Sequence, residues 1–179
     1  AWLAVDETTR TQLVTGLKGS LLRVTEPDAK ASTVLSGYSS QVAARKAELI
    51  GTAGEALCLV RVPGESTNRS GGVPGCESAN TLARGSDAAQ VVAEAFLAGS
   101  LAADVAVQNA GGVRIAVPAG PLSMNTAFTL LPFTNVLVEL RLNGQQVVDA
   151  LEDAVANHLD AAQSTGSHPY AAGLRWSLD

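Results

Sequence analysis

The residues with most chemical potential sit in one short run, Asn109-Ala110-Gly111-Gly112-Val113-Arg114, which directly follows the apolar stretch 103–108. A strand that ends in paired glycines exposes backbone amides with no side chain in the way. Asn109 offers a donor and an acceptor, and Arg114 a planar fork for an anion or a carbonyl group. Such a set suits a hydroxyl-rich, phosphate-bearing ligand. The bland alternative is a tight turn whose Arg114 pairs with a surface acid. No Lys-Ser or Lys-Thr follows, so this is not a phosphate loop. A second segment is Leu131-Pro132-Phe133-Thr134-Asn135. Pro132 stiffens the backbone in front of an aromatic ring, and a rigid ring can stack on a flat heterocycle. The alternative reading of Phe133 is a core residue.

Cys58 and Cys76 are the only cysteines, and they flank a stretch full of turn residues, 61–75. A bridge between them could hold a segment that cannot hold itself by packing, and would point to an exported protein. Two buried, unlinked thiols are the alternative. A metal site is disfavoured, since there is no CxxC and His158 and His168 lie far off in sequence. Asn68-Arg69-Ser70 fits a glycosylation acceptor, but chance explains so short a motif.

Positioning these groups requires both helices and strands. Leu13, Leu17, Leu21 and Val24 predict a helix over 7–24 that Pro27 closes. A second helix is predicted from Asp28 to Leu49, with Val34, Tyr38, Val42 and Leu49 inward, Arg45 and Lys46 near its end, and Gly51 and Gly54 breaking it. Residues 55–62 alternate as a strand. Ser86 or Asp87 starts a helix with Val91, Val92, Ala95 and Phe96 on its apolar side; Asp87 with Gln90 resembles a capping box, and Gly99 ends the helix. Residues 103–108 read as a strand, 117–126 as a loop and 136–142 as a strand. Asn143 caps a helix over 145–159 with Val147, Val148, Leu151, Val155 and Leu159 on one face. A polar loop, 160–168, leads to a final strand at about 172–178. The class is mixed α+β, without an internal repeat.

Composition agrees with a packed domain. Of 179 residues 46% are hydrophobic but only 4% aromatic, so Ala, Val and Leu must build the core. Twelve basic and 17 acidic residues give a net charge of −5, which offers no general attraction for nucleic acid or anionic membrane. Any phosphate must be held locally. No apolar run reaches about 20 residues, so no membrane span is expected. The N-terminal residues do not read as a signal peptide, and both ends look cut, which makes a piece of a longer protein the expectation.

The run 109–114 resembles the Asn-Gly-Gly-Gly-Ile-Arg signature of the C-terminal domain of the 5′-nucleotidase family. Pro132-Phe133-Thr134-Asn135 follows at the right spacing. Leu140-Arg141-Leu142-Asn143-Gly144-Gln145-Gln146-Val147 resembles the family's strand, turn and helix, and Ser164-Thr165-Gly166 and Tyr170-Ala171-Ala172-Gly173-Leu174-Arg175 its next loop and strand. The match covers about residues 80–179. Upstream, Arg61-Val62-Pro63-Gly64, the cysteines and Arg84-Gly85-Ser86-Asp87 resemble exported bacterial members.

The resemblance implies a helical linker over 1–50 and a partial substrate-binding domain over 51–179. It implies a periplasmic or extracellular hydrolase whose N-terminal metallophosphoesterase domain holds two divalent metals, while the C-terminal domain binds a nucleotide or nucleoside. By the same resemblance Asn109, Gly112 and Arg114 lie against the ligand, Phe133 stacks on the base, Asn135 reaches its edge, and Gly166 leaves room beside it. Arg84 lies near another family arginine. Three departures stand out. Ala110 replaces the first glycine, a methyl that either narrows the pocket or does nothing. Thr134 stands where Gly is usual. The sequence holds neither a second stacking aromatic with its Gly-Gly-Asp-Gly segment nor the family's metal-binding motifs. The expectation is a fragment without phosphatase activity and with weak nucleoside binding. A non-catalytic adhesion or solute-binding module is the competing reading. A relative acting on a sulfur compound is more distant, because such a substrate has no flat base for Phe133.

Overall fold

The computed structural model describes residues 28–64 and 67–178. The helix expected over 7–24 lies outside them. Two compact units meet in sequence at Val42/Ala43.

Helix α1, Ala29–Ala47, forms close to its expected span and carries Arg45 and Lys46 in its last turn. Its expected inward face is not buried: Val34, Tyr38 and Val42 are all exposed, as is Leu49. Apolar spacing alone cannot bury a helix; a partner surface must cover it. Leu49 is not helical but opens strand β1, Leu49–Ala53. Gly51 therefore does not break a helix. It sits at the irregularity where β1 pairs with a later strand, a position that suits glycine.

The run 55–62 is extended but is not a regular strand. It makes single-residue bridges, Leu57 to Val117 and Val60 to Asn68. Its alternation does not separate core from solvent, since Cys58, Leu59, Val60 and Val62 are all buried. The loop beyond it is closed by a Cys58–Cys76 disulfide. Asn68 braces this loop from within, its side-chain amide donating to the Cys76 carbonyl at 2.7 Å. A short helix α2, Ser78–Thr81, follows.

Helix α3, Asp87–Gly99, is capped by Ser86, whose hydroxyl accepts from the Ala89 N–H at 3.0 Å. The expected Asp87–Gln90 box does not form. Asp87 instead accepts from the Cys58 N–H, and Gln90 donates to the Ala171 carbonyl. The buried face is Ala88, Ala89, Val92 and Ala93, while Val91 and Ala95 are exposed. Val92 and Phe96 of the expected face do meet the core, and the buried stripe extends from them to the alanines Ala88, Ala89 and Ala93.

Strand β2, Ala106–Asn109, precedes a 3₁₀ turn, Ala110–Gly112. The expected loop 117–126 holds strand β3, Gly120–Ser123, antiparallel to β1, and helix α4, Met124–Leu130, begins inside it. Proline and glycine signals hid an edge pairing that needs few donors. The expected strand 136–142 is absent. These residues are irregular, with Val136, Val138 and Leu140 exposed. Alternation orients side chains, but a strand exists only where a neighbour completes its hydrogen bonds, and none of the described residues pairs with this one. Helix α5, Gly144–Leu159, is capped by Asn143 and Gln146 in a reciprocal box. Only Val155 of its expected face is fully buried.

Strand β4 is Pro169–Ala172, earlier than expected, and pairs antiparallel with β2 from Asn109/Pro169 to Ala106/Ala172. Gly173 follows it with φ of 81°, at a place where any side chain would collide with the Asp104 carbonyl. The core joins Leu59, Ala88, Ala89, Val92, Ala110, Val113, Ala116 and Tyr170. The fold is a mixture of helices and two small antiparallel sheets. Among the described residues no helix is long and apolar enough to cross a membrane.

Candidate functional site

The glycine run leaves β2 at Asn109 and turns at once. The Ala110 N–H donates to the His168 carbonyl at 2.9 Å, which pins the turn to the start of β4. The Ala110 side chain is fully buried in the core. Its methyl packs inward and does not narrow a surface pocket. Gly111 then meets Gly166 of the second 3₁₀ turn, Thr165–Ser167. The Asn109 amide donates to the Gly166 carbonyl at 3.2 Å. Ser164 caps that turn through its hydroxyl, which accepts from the Gly166 N–H. Asn109, Gly111 and Gly166 are thereby brought together.

Arg114 folds back so that its Nη1 donates to the Gly111 carbonyl at 3.1 Å. Its backbone N–H donates to the Leu130 carbonyl at 2.9 Å, which ties the turn to the end of α4. Three residues beyond Leu130 stands Phe133, and the Arg114 guanidinium carbon lies 5.8 Å from its ring centroid. That is cation–π distance. Phe133 remains 53% exposed, so it is not a core residue. A cavity of about 660 Å³ opens beside it, lined by Gly112, Phe133, Thr134 and Asn135 among others. Arg114 does not line this cavity; its guanidinium lies over the Phe133 ring, which does.

Gln108 escaped the sequence reading. It is buried, lines the same cavity, and donates to the Asn109 carbonyl at 2.8 Å and to Asn109 Oδ1 at 3.1 Å. Asn109 thus has both ends of its amide engaged by protein. The signal was a polar residue at the end of an apolar strand. Arg84 is not part of this set. It pairs with Asp87 at 3.0 Å, and that carboxylate raises its pKa above the usual arginine value. Among the described residues no three His, Cys, Asp or Glu side chains converge on a point that could hold a metal ion. These residues do not fit a two-metal centre.

The sequence profile described as "5′-nucleotidase, C-terminal domain" matches residues 62–179. The chain belongs to the 5′-nucleotidase family. Among its relatives, the NAD 5′-nucleotidase of Haemophilus influenzae is 35% identical over 153 residues, which is 85% of this chain and 24% of the relative. A probable 5′-nucleotidase of Treponema pallidum is 40% identical over 98 residues, 52% of this chain and 16% of the relative. The solved structure of the Haemophilus influenzae NAD nucleotidase superimposes with a TM-score of 0.59 at 29% identity, over 97% of this chain and 29% of that one. The 5′-nucleotidase precursor of Thermus thermophilus superimposes with a TM-score of 0.56 at 25% identity, over 84% of this chain and 26% of that one. The chain thus spans about a quarter or less of the lengths of these two curated relatives. Its matched part is the family's C-terminal domain.

Proposed function

We propose that this chain is the nucleoside-binding part of an exported nucleotide hydrolase. One observation carries the reading: a half-exposed ring, Phe133, is flanked by the Arg114 guanidinium and opens on a cavity shared with Gly112 and Asn135. A flat base would stack on the free face of Phe133, with the Asn135 amide at its edge. Arg114, fastened to the Gly111 carbonyl, would present its remaining N–H groups to the sugar or phosphate.

The hydrolytic step, with two divalent metals, would be supplied by a metallophosphoesterase domain outside these residues. Binding the base at a distance would position the phosphate for that step. The substrate would be a nucleoside monophosphate, a cyclic nucleotide or a dinucleotide such as the NAD in the Haemophilus relative's name. The Cys58–Cys76 disulfide supports a periplasmic or extracellular setting.

The test is titration of the chain with adenosine, followed by amide chemical shifts and calorimetry. Expected are weak binding, with a dissociation constant above the micromolar range, and shifts at Gly112, Phe133 and Asn135. Phe133→Ala should abolish them. Shifts confined to other surfaces would overturn the reading. Nucleotide incubated with the chain and divalent metal should release no phosphate.

A further inference from the structure

Gln108 carries a carboxamide into a nearly closed place; the residue is only 9% exposed. Its Nε2 donates to the Asn109 carbonyl at 2.8 Å and to Asn109 Oδ1 at 3.1 Å. A carbonyl oxygen can only accept, so these contacts fix which end of the Gln108 amide faces Asn109. The Gly166 carbonyl fixes Asn109 in the same way, by taking a hydrogen bond from its Nδ2. Gln108 Oε1 is therefore turned away from Asn109, across Cδ. Gly112 makes this arrangement possible, because a methyl there would collide with Gln108 Nε2.

Among the described residues no group donates to Gln108 Oε1, yet this atom is not sealed off: the fully buried side-chain atoms without a partner all belong to His158 and His168. The open space against Gln108 is the cavity beside Phe133, which it lines together with Phe96, Leu131 and Asn135. Asn109 does not line that cavity, and both ends of its amide are already engaged. No charged side chain lines it either, among the described residues. The cavity thus sets an acceptor without a donor next to an exposed ring, among apolar walls. A nearly buried acceptor left unpaired costs free energy, and a ligand N–H would restore the missing bond. In an apolar pocket a few such placed polar groups fix which ligand fits.

We propose that Gln108 is a specificity-determining residue: its Oε1 accepts a hydrogen bond from an exocyclic amino group on the edge of a base stacked on Phe133, so the cavity prefers amino-bearing bases to bases without a donor there. The proposal rests on the nucleoside reading above, because the stacked base brings the amino group. Gly112 then lacks a side chain in order to seat the Gln108 carboxamide.

Adenosine and purine riboside test it on this chain. They share ring system and sugar, but purine riboside lacks the amino group. Adenosine should bind about fivefold more tightly, the worth of one uncharged hydrogen bond. The side-chain amide resonances of Gln108 should move with adenosine more than with purine riboside. Gln108→Met keeps the length and removes the acceptor, and should bring the two dissociation constants together. Gly112→Ala pushes the carboxamide aside without removing it, and should do the same. Amide spectra would establish that each variant is folded; if the Met variant is not, the Ala variant decides. Equal binding of both nucleosides by the unaltered chain, or an adenosine advantage that survives the substitutions, would overturn the proposal. Shifts at Phe133 in those cases would leave the nucleoside reading standing. Binding of neither nucleoside would overturn both.

Discussion

Gly111 and Gly166, 55 residues apart in sequence, touch through their backbones: a methyl built on Gly111 would lie 3.0 Å from the Gly166 Cα and 3.1 Å from its carbonyl oxygen. This contact lets two tight turns close beside the candidate cavity. Gly111→Ala must push backbone against backbone and should break the Asn109–Gly166 hydrogen bond. The expected loss is about 1–3 kcal/mol of stability, with weaker adenosine binding. Gly112→Ala should be milder, because the methyl there would first meet the end of the Gln108 side chain. Urea unfolding of both variants would check the order.

Tyr170 joins three segments through one oxygen. Its hydroxyl donates to the Val60 carbonyl at 2.8 Å and accepts from the Ser86 N–H at 3.0 Å, all of it buried. Burial pushes its pKa up to about 12, so the hydroxyl keeps its proton across the physiological range. Tyr170→Phe leaves a buried N–H and a buried carbonyl without this partner. A loss of about 2–3 kcal/mol is expected in urea midpoints.

The disulfide closes a loop of sequence separation 18. Reduction, or Cys58→Ala with Cys76→Ala, should cost roughly 3 kcal/mol. The melting temperature should fall accordingly, with the loop 59–75 losing the closure that holds it. An unchanged melting temperature would show that the bridge contributes nothing to stability.

His168 is buried among the rings of His158, Tyr170 and Trp176, with centroids 5.8, 5.5 and 5.4 Å away. Burial first, and the charge of His158 second, push its pKa down to about 4 from the ordinary 6.5. Between those values the unfolded chain binds more protons than the folded one, so acid favours unfolding. The stability tied to neutral His168 is full above about pH 6.5 and is lost as pH falls toward 4. His168→Gln should flatten the decline in melting temperature across that window. An unchanged slope would assign the acid sensitivity to other groups.

Much of this protein was legible in its residue order. Paired glycines after an apolar strand, with Arg114 two places on and Pro132 in front of Phe133, announced the family. Asn143 and Gly99 marked helix ends correctly, because capping and termination act within a few residues. What failed was everything requiring a distant partner. Residues 136–142 alternate as a strand should, yet no neighbour completes their hydrogen bonds among the described residues. Residues 120–123 looked like a loop, yet β1 pairs with them. Gln108 reads as an ordinary strand residue until the fold turns it onto Asn109. The sequence alone determined which groups are available and where the chain can turn, since those are local properties of side chain and backbone. Only the tertiary structure decided which groups meet, as with Gly111 on Gly166, Arg114 over Phe133, and Tyr170 on Val60 and Ser86. Such contacts depend on closing loops whose ends carry no local record of each other.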